Sequence, residues 1–327
     1  MGGAALDLSK RSDPVMSENS WPTLDWDDWA ETCAHLHLMT QIVGKVRLSF
    51  EPWLNHSWHA TFYVSPRGLT SGPIHHDDGC MSFEFDLIDH CLVLENASGQ
   101  REVLKLAPGS IAQFYGDVGK MVRRAGAKFA IHDAPNELPD AIPFEDDVET
   151  RAYDAAAVSR YHRVLLRVDR VFEKFRTGYL GKSSPSHLFW GSFDLAVTRF
   201  SGREAPEHPG GVPNLPDVVT REAYSHEVSS AGFWPGNGGF GQAAFYAYAY
   251  PTPDGFADQP VEPDAAYWSD DLKEFVLPYH AVASARDPEA ALMTFLESTF
   301  GAARQSGHWD EKFIRSPAKP RKPRAPM

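Results

Sequence analysis

Apolar residues recur with different periods along the chain, and each period predicts an element. After Asp25, they recur every three or four positions, which predicts a helix that Asp25 caps and Gly44 ends. Apolar residues at every second position in segments 46–50 and 58–64 predict two strands. The polar face of the second strand carries His59 and faces either solvent or a pocket.

The same two periods continue through the rest of the chain. They predict a hairpin between residues 83 and 94 that turns at Asp89 and His90. Helices are predicted at 110–124, 154–179 and 287–303, and strands at 103–106, 128–132, 183–203, 223–232, 242–250 and 274–278. Short strands joined by turns, with helices between them, indicate an α+β fold of mostly antiparallel sheets with packed helices.

The longest strand-like run, residues 183–203, contains side chains that a plain core strand would lack. His187, Trp190, Asp194 and Arg199 interrupt its apolar residues. Strand alternation places His187 and Asp194 on opposite faces, unless Gly191 marks a bulge that shifts the register. A charge in an apolar strand must be paired or functional, so this run either carries a site or bonds neighbouring loops.

The two halves of the chain show a similar order of elements, which suggests two loosely similar α/β halves that form one module. The boundary falls in a segment rich in proline and acidic residues, which suits an exposed connection. The predicted organisation is a disordered leader (1–20), a first α+β half (21–134), a linker (135–152), a second α+β half (153–310) and a disordered basic tail rich in proline (311–327).

Composition excludes several classes of protein. The net charge of −13 works against a nucleic-acid-binding surface, because phosphate contacts need a basic face. No eighteen consecutive apolar residues occur, so no membrane span is predicted. Cys33, Cys80 and Cys91 include no C-x-x-C pair, which argues against a disulfide framework and favours a reducing cytoplasm.

Two motifs suggest chemistry but have simpler explanations. The glycine-rich segment 236–241 leads into a strand, whereas a phosphate-binding loop leads into a helix, so a turn is expected. Residues 75–78 (His-His-Asp-Asp) are adjacent in the sequence and rarely converge on one ion, so a loop surface is expected. No metal site is assigned, and the sequence identifies no cofactor. The face formed by Tyr246, Tyr248 and Tyr250 bounds either a cavity or the outside of a sheet.

Four runs resemble a bacterial family that is catalogued only as a domain of unknown function. They are H-L-H-L-M-T-Q-I-V-G-K-V-R-L, G-L-T-S-G-P-I, G-K-S-S-P-S-H-L-F-W-G-S-F-D-L-A-V-T-R-F-S-G-R and S-H-E-V-S-S-A-G-F-W-P-G-N-G-G-F-G. The resemblance extends from about Trp21 to Trp309 and implies one family-wide module. It implies no activity. The polar and aromatic members of these runs become candidate site residues: Gln41, Lys45, Arg47, His59, His187, Trp190, Asp194, Arg199, His226, Glu227 and Trp234.

Two functions fit these candidates. The first is a small-molecule enzyme whose catalytic residues are His187 or His226 as base and Asp194 or Glu227 as acid or orienting group. Lys45, Arg47 or Arg199 would hold an anionic substrate group, and Gln41, His59, Trp190, Trp234 and Tyr248 complete the predicted binding set. A metal-assisted version would recruit two or three of His59, His187, His226 and Glu227, but no metal-binding motif is present.

The second function is a non-catalytic module that binds a small ligand in an aromatic cavity. Familiar catalytic signatures such as G-x-S-x-G are absent from the sequence, which keeps this alternative open. Both functions predict a small molecule as the partner. The sequence does not decide whether the protein is an enzyme, and it does not indicate the oligomeric state.

Overall fold

A computed structural model of the protein describes residues 21–76, 79–138 and 140–314. Two antiparallel sheets and several helices form the fold, so the predicted α+β class is confirmed. The predictions for the leader (1–20), for Asp77 and Asp78, and for residues 315–327 of the tail lie outside the described residues. The described start of the predicted tail forms a short 3-10 helix, Glu311–Phe313.

The first sheet is a meander whose strands pair in chain order. Its strands are β1 (Tyr63–Val64), β2 (Gly68–His76), β3 (Gly79–Asp86), β4 (Cys91–Asn96) and β5 (Arg101–Lys105). The predicted hairpin is confirmed as β3 and β4, with His90 in the turn at φ 51°. The loop predicted at His75 and His76 is wrong, because both residues belong to β2 and pair with Cys80 and Gly79.

The second sheet has the strand order β10-β11-β9-β8-β7-β6. Its strands are β6 (His187–Phe189), β7 (Asp194–Glu204), β8 (His226–Trp234), β9 (Ala244–Tyr250), β10 (Tyr267–Ser269) and β11 (Glu274–Pro278). The single strand predicted at 183–203 is wrong, because the chain reverses between β6 and β7. Phe189 pairs with Asp194 and His187 with Ala196. This register puts His187 and Asp194 on the same face, contrary to the alternation of one continuous strand.

The helices are α1 (Trp26–Phe50), α2 (Ile111–Arg124), α3 (Ala155–Arg176), α4 (Asp217–Ala223), α5 (Tyr279–Ala283) and α6 (Pro288–Ser306). The predicted end of α1 at Gly44 and the strand predicted at 46–50 are both wrong. Gly44 lies inside the helix, where the indole of Trp190 occupies the space of a Cβ. Residues 35–47 are all buried, so this helix has no polar face that would reveal its period.

Two further predicted strands are wrong. Segment 58–64 follows a 3-10 helix, Asn55–Ser57, and only Tyr63–Val64 joins a sheet. Phe62 makes a single bridge to Leu188. Segment 128–132 is irregular and its Phe129 ring packs against Tyr115, with centroids 5.2 Å apart. Alternating apolar residues are therefore buried here by helix and loop contacts rather than by a β-ladder.

One hydrophobic core contains residues from α1, both sheets and the other long helices. The segment predicted as an exposed linker contributes to this core, since Phe144 is completely buried. The division into two halves that form one module stays a prediction. Within the described part of the chain, no helix is long and apolar enough to cross a membrane.

Candidate functional site

A cavity of about 970 Å³ lies over one face of the second sheet. This volume is within the range of small-molecule sites. The sheet forms its floor, and α1 and the segment 132–137 form one wall. Residues 208–224, between β7 and β8, supply a further group of lining residues that we call the roof segment. The main floor and wall side chains are Lys45, His56, Asn136, Glu137, Trp190, Asp194, Ser230, Trp234, Tyr246, Tyr248 and Glu274.

Strand register explains why the floor residues share a face. Ser230 pairs with Tyr248 across β8 and β9, and Gly232 pairs with Tyr246. A side chain at position 232 would clash with the ring and hydroxyl of Tyr246. Because glycine leaves this space free, Tyr246 crosses β8 and donates its hydroxyl hydrogen to Oδ2 of Asp194. The floor is thus built by a tyrosine from β9 and a carboxylate from β7.

Asp194 is a buried acid at the centre of the floor, with a side chain that also accepts a hydrogen bond from Ser192 Oγ. Burial raises its pKa, and the hydrogen bonds from Ser192 and Tyr246 oppose that rise. These two donors stabilise the ionised form. The structure therefore places at the base of the cavity a buried carboxyl group whose raised pKa is partly counteracted by two hydrogen bonds.

Two glutamates lie near Asp194 and have strongly raised pKa values. Burial, followed by the charge of Asp194, raises the pKa of Glu137 to about 7 and that of Glu274 to about 8. Oε2 of Glu274 is buried and has no hydrogen-bond partner among the described residues. At neutral pH the three carboxyl groups therefore hold at least one proton between them, because like charges in one site resist joint ionisation.

Lys45 projects from α1 and is the one lysine or arginine among the described lining residues. Its Nζ donates to Oδ1 of Asn136 and lies 5.6 Å from the ring centroid of Trp190. Burial lowers the pKa of Lys45 to about 8, and the charge of Asp133 partly opposes this shift. The cavity thus contains one lysine with a lowered pKa and three carboxyl groups.

Gln41 lies behind the cavity and positions its wall. Its Oε1 accepts from the backbone N–H of Asn136 at 2.7 Å, and its Nε2 donates to the carbonyl of the same residue at 2.9 Å. The next residue, Glu137, has a φ of 60°. Its carboxyl group packs against Gly191, where any Cβ would clash with it. Gln41 therefore fixes the turn that presents the Glu137 carboxyl group to the cavity.

Hydrogen bonds between loops hold the roof segment over the cavity. Asn136 donates through Nδ2 to the carbonyl of Asn214 at 2.6 Å, and Asn214 donates through Nδ2 to the carbonyl of Leu138 at 2.5 Å. On another side, Trp53 Nε1 donates to Glu222 at 2.5 Å. Exposed polar contacts of this kind open more readily than core packing. We therefore expect these contacts to break before the sheet unfolds.

The cavity brings together five of the residues predicted from the sequence: Lys45, Trp190, Asp194, Trp234 and Tyr248. The predicted histidine bases are not among them. His187 is buried beside the sheet, and its Nδ1 donates to the carbonyl of Pro185 at 2.8 Å. Burial lowers the pKa of His187 to about 3, which makes it a weak proton acceptor at neutral pH. His226 is exposed and lies beside Ser225, with Nδ1 and Oγ 3.1 Å apart.

The remaining predicted residues make structural contacts outside the cavity lining. Glu227 accepts from Arg203 and from Ser201 Oγ. Arg199 lies over the ring of Phe175, with its guanidinium carbon 3.3 Å from the ring centroid. Arg47 donates to the carbonyl of Thr61. Nδ1 of His59 lies 3.1 Å from the backbone nitrogen and oxygen of Leu54.

Sequence reasoning missed Glu137 and Glu274. Glu137 lies in the segment that was predicted as an exposed linker, and Glu274 begins a short strand whose first residue would ordinarily face solvent. The tyrosine face of β9 was the available signal, because Tyr246 and Tyr248 do bound a cavity. Among residues 21–76, 79–138 and 140–314, no three His, Cys, Asp or Glu side chains converge in an arrangement that could hold a metal ion.

Comparison with known proteins places the chain in one family. No curated protein and no solved structure matches the sequence. The sequence pattern of DUF5996, described as a family of unknown function, matches residues 21–316. This match covers all the described residues, including every side chain of the cavity. The chain therefore belongs to the DUF5996 family of unknown function.

Proposed function

We propose that the protein is a small-molecule enzyme that transfers protons through the carboxyl groups that line the cavity. The observation that supports this most is the position of Glu137 and Glu274, which border the cavity and have pKa values of about 7 and about 8. A carboxyl group with a pKa near the working pH can both donate and accept a proton. Perturbed carboxyl groups in a cleft are typical of active sites.

The three acids differ in their surroundings, which suggests different roles. Asp194 receives hydrogen bonds from Ser192 and Tyr246, so it is the acid best stabilised as a carboxylate. The proton is then held by Glu137 or Glu274, neither of which accepts such a hydrogen bond from any residue that the structure describes. Paired acids whose environments separate their pKa values supply a general acid and a general base in one site. In this proposal Glu274 or Glu137 donates a proton to the substrate, and Asp194 orients the substrate or accepts a proton from it.

A non-catalytic ligand-binding module is the second candidate. The aromatic lining favours it: the ring centroids of Trp234 and Tyr246 are 4.4 Å apart, and the hydroxyls of Tyr224 and Tyr248 share a hydrogen bond of 2.8 Å. Such surfaces bury flat or apolar parts of a ligand. This function needs the cavity but no proton transfer.

We also propose that the protein works in the reducing cytoplasm of a bacterial cell. Cys33, Cys80 and Cys91 are free thiols, which suits that compartment.

Comparing cell metabolites before and after incubation with the protein tests the proposal. Wild type should consume at least one metabolite, as measured by mass spectrometry. The double variant Glu137→Gln/Glu274→Gln should not, because an amide keeps the shape of the side chain but cannot release a proton. Glu262→Gln, at an exposed position outside the cavity lining, is the matched control and should retain activity.

Equal consumption by wild type and by the double variant would show that these acids do not catalyse the reaction. Binding of a metabolite that is recovered unchanged from both proteins would instead support the non-catalytic module.

A further inference from the structure

We infer that the cavity takes an organic cation, a small molecule that combines an ammonium group with a flat or apolar part. This inference rests on the proposed small-molecule site and specifies the class of its ligand. It replaces the anionic substrate group expected from the sequence, because Arg47 and Arg199 do not line the cavity.

The charges around the cavity favour a positive ligand. Asp194, Glu137 and Glu274 all line the cavity, whereas Lys45 is the single lysine or arginine side chain in the described lining. Lys45 already donates to Asn136. An anion would add to the repulsion among the acids, whereas an ammonium group would be attracted to each of them.

The aromatic surface of the cavity supports the same class of ligand. Trp234, Tyr246 and Tyr248 form a continuous aromatic group, with Tyr246 and Tyr248 stacked at a centroid distance of 6.1 Å. The faces of such rings carry negative potential and attract ammonium groups, most strongly where water is excluded. Carboxyl groups beside aromatic faces therefore offer a cation two kinds of attraction in one site.

Unpartnered polar atoms give an independent indication that the cavity is built for a ligand. His56 is more than nine-tenths buried and lines the cavity, yet its Nδ1 has no hydrogen-bond partner among the described residues. Oε2 of Glu274 also has no hydrogen-bond partner among the described residues. Buried polar groups normally have partners, because leaving one unpaired is costly. Both atoms have almost no accessible surface, so an ammonium N–H reaches them only when the side chains turn toward the cavity.

A neutral polyhydroxylated ligand fits the cavity less well. Hydroxyl groups would hydrogen-bond to the carboxyl groups but would leave the repulsion among them unchanged. A cation lowers the free energy of their ionised forms and so lowers their pKa values when it binds. Cation binding must then release protons from Glu137 or Glu274, and its affinity must increase as the pH rises through the range in which these acids titrate.

Other titratable groups also line the cavity, and the charge of each determines how it affects cation binding. Lys45 of α1 loses its charge as the pH rises, which further favours a cation. Burial raises the pKa of Tyr224 to about 12 and lowers that of His56 to about 4, so both stay neutral near pH 7. Tyr246 and Tyr248 have pKa values well above the ordinary range because they are buried. The glutamates and Lys45 therefore dominate the pH dependence of binding. His132 of the wall and His208 of the roof segment also line the cavity.

Three probes of similar size and different charge test the inference: benzylamine, benzyl alcohol and benzoate. Their dissociation constants are measured by ligand-observed NMR at about pH 6 and about pH 8. We expect benzylamine to bind about tenfold more tightly than benzyl alcohol, and benzoate to bind most weakly. The preference for benzylamine should increase at the higher pH. Glu274→Gln should reduce this preference, whereas Glu262→Gln should not.

The possible results separate this inference from the proposed function. If benzyl alcohol or benzoate binds as tightly as benzylamine, the cavity is a ligand site but not one for cations. If no probe binds to wild type, both the inference and the small-molecule site are refuted. An unchanged preference in Glu274→Gln would also overturn the inference, provided that thermal unfolding shows the variant to be folded.

Discussion

Replacing Glu274 by glutamine should make the protein more stable at alkaline pH. The pKa of this carboxyl group rises from 4.5 to about 8 in the folded protein, chiefly through burial and then through the charge of Asp194. Since the folded pKa is above the unfolded one, the unfolded chain loses its proton first. Wild type therefore loses stability as the pH rises from about 4.5 to about 8, and Glu274→Gln removes that loss.

The magnitude follows from the size of this pKa change. At about 1.4 kcal/mol for each pKa unit, the full change corresponds to at most about 5 kcal/mol. The side chain keeps part of its surface exposed to the cavity, so solvent screening reduces the effect to about 2–3 kcal/mol. The free energies of the two proteins should differ least at about pH 4 and below, where Glu274 is protonated in the folded protein and largely so in the unfolded chain.

Urea unfolding of both proteins across this pH range measures the effect. The quantity to follow is the stability of Glu274→Gln minus that of wild type, because groups such as His37 and His187 titrate in both proteins and largely cancel. This difference should increase between about pH 5 and about pH 8 and then level off. A difference that does not change with pH would refute the conclusion that burial holds a proton on Glu274.

Three further substitutions test separate parts of the structure. Gly232→Ala should displace the ring of Tyr246 and destabilise the fold by about 1–3 kcal/mol in urea unfolding; an unchanged midpoint would contradict this. Asn214→Ala should accelerate hydrogen exchange in the roof segment but not in the second sheet, because it removes one loop-to-loop bond. Ser110→Ala should cost about 1 kcal/mol by removing the cap of α2, and should leave benzylamine binding unchanged.

Much of the fold was predictable where local signals agree with tertiary packing. The helices α2 and α3 begin at Ser110 and Asp154, whose side chains accept hydrogen bonds from the first turn. Their apolar stripes face the core, so the spacing of the apolar residues and the capping residue both predict a helix. The strand Glu274–Pro278 has the predicted bounds, since its three central residues are buried in the sheet.

The errors arise where tertiary contacts override the local pattern. The helix α1 is buried on all sides along residues 35–47, so its sequence contains no contrast between polar and apolar faces. Gly44 would ordinarily end a helix, but here it makes room for Trp190, which is distant in sequence. The turn between β6 and β7 places Phe193 at a φ of 59°, which no local sequence signal indicated.

The candidate site was only partly predictable for the same reason. Asp194 is a candidate catalytic residue by sequence because a carboxylate in an apolar strand is conspicuous, and in the structure it lines the cavity. Glu137 and Glu274 are ordinary surface residues by sequence, and they become buried only because the loop after α2 and the edge of the second sheet close over the same cavity. The raised pKa values result from that convergence, which sequence spacing does not contain.

A crystal structure of the protein bound to a molecule retained from a cell extract most directly tests whether the cavity over the second sheet is the functional site. We expect the molecule to occupy this cavity and to contact at least one of Glu137, Asp194 and Glu274. A molecule bound on another surface, with these three carboxyl groups left without contact, would contradict that assignment.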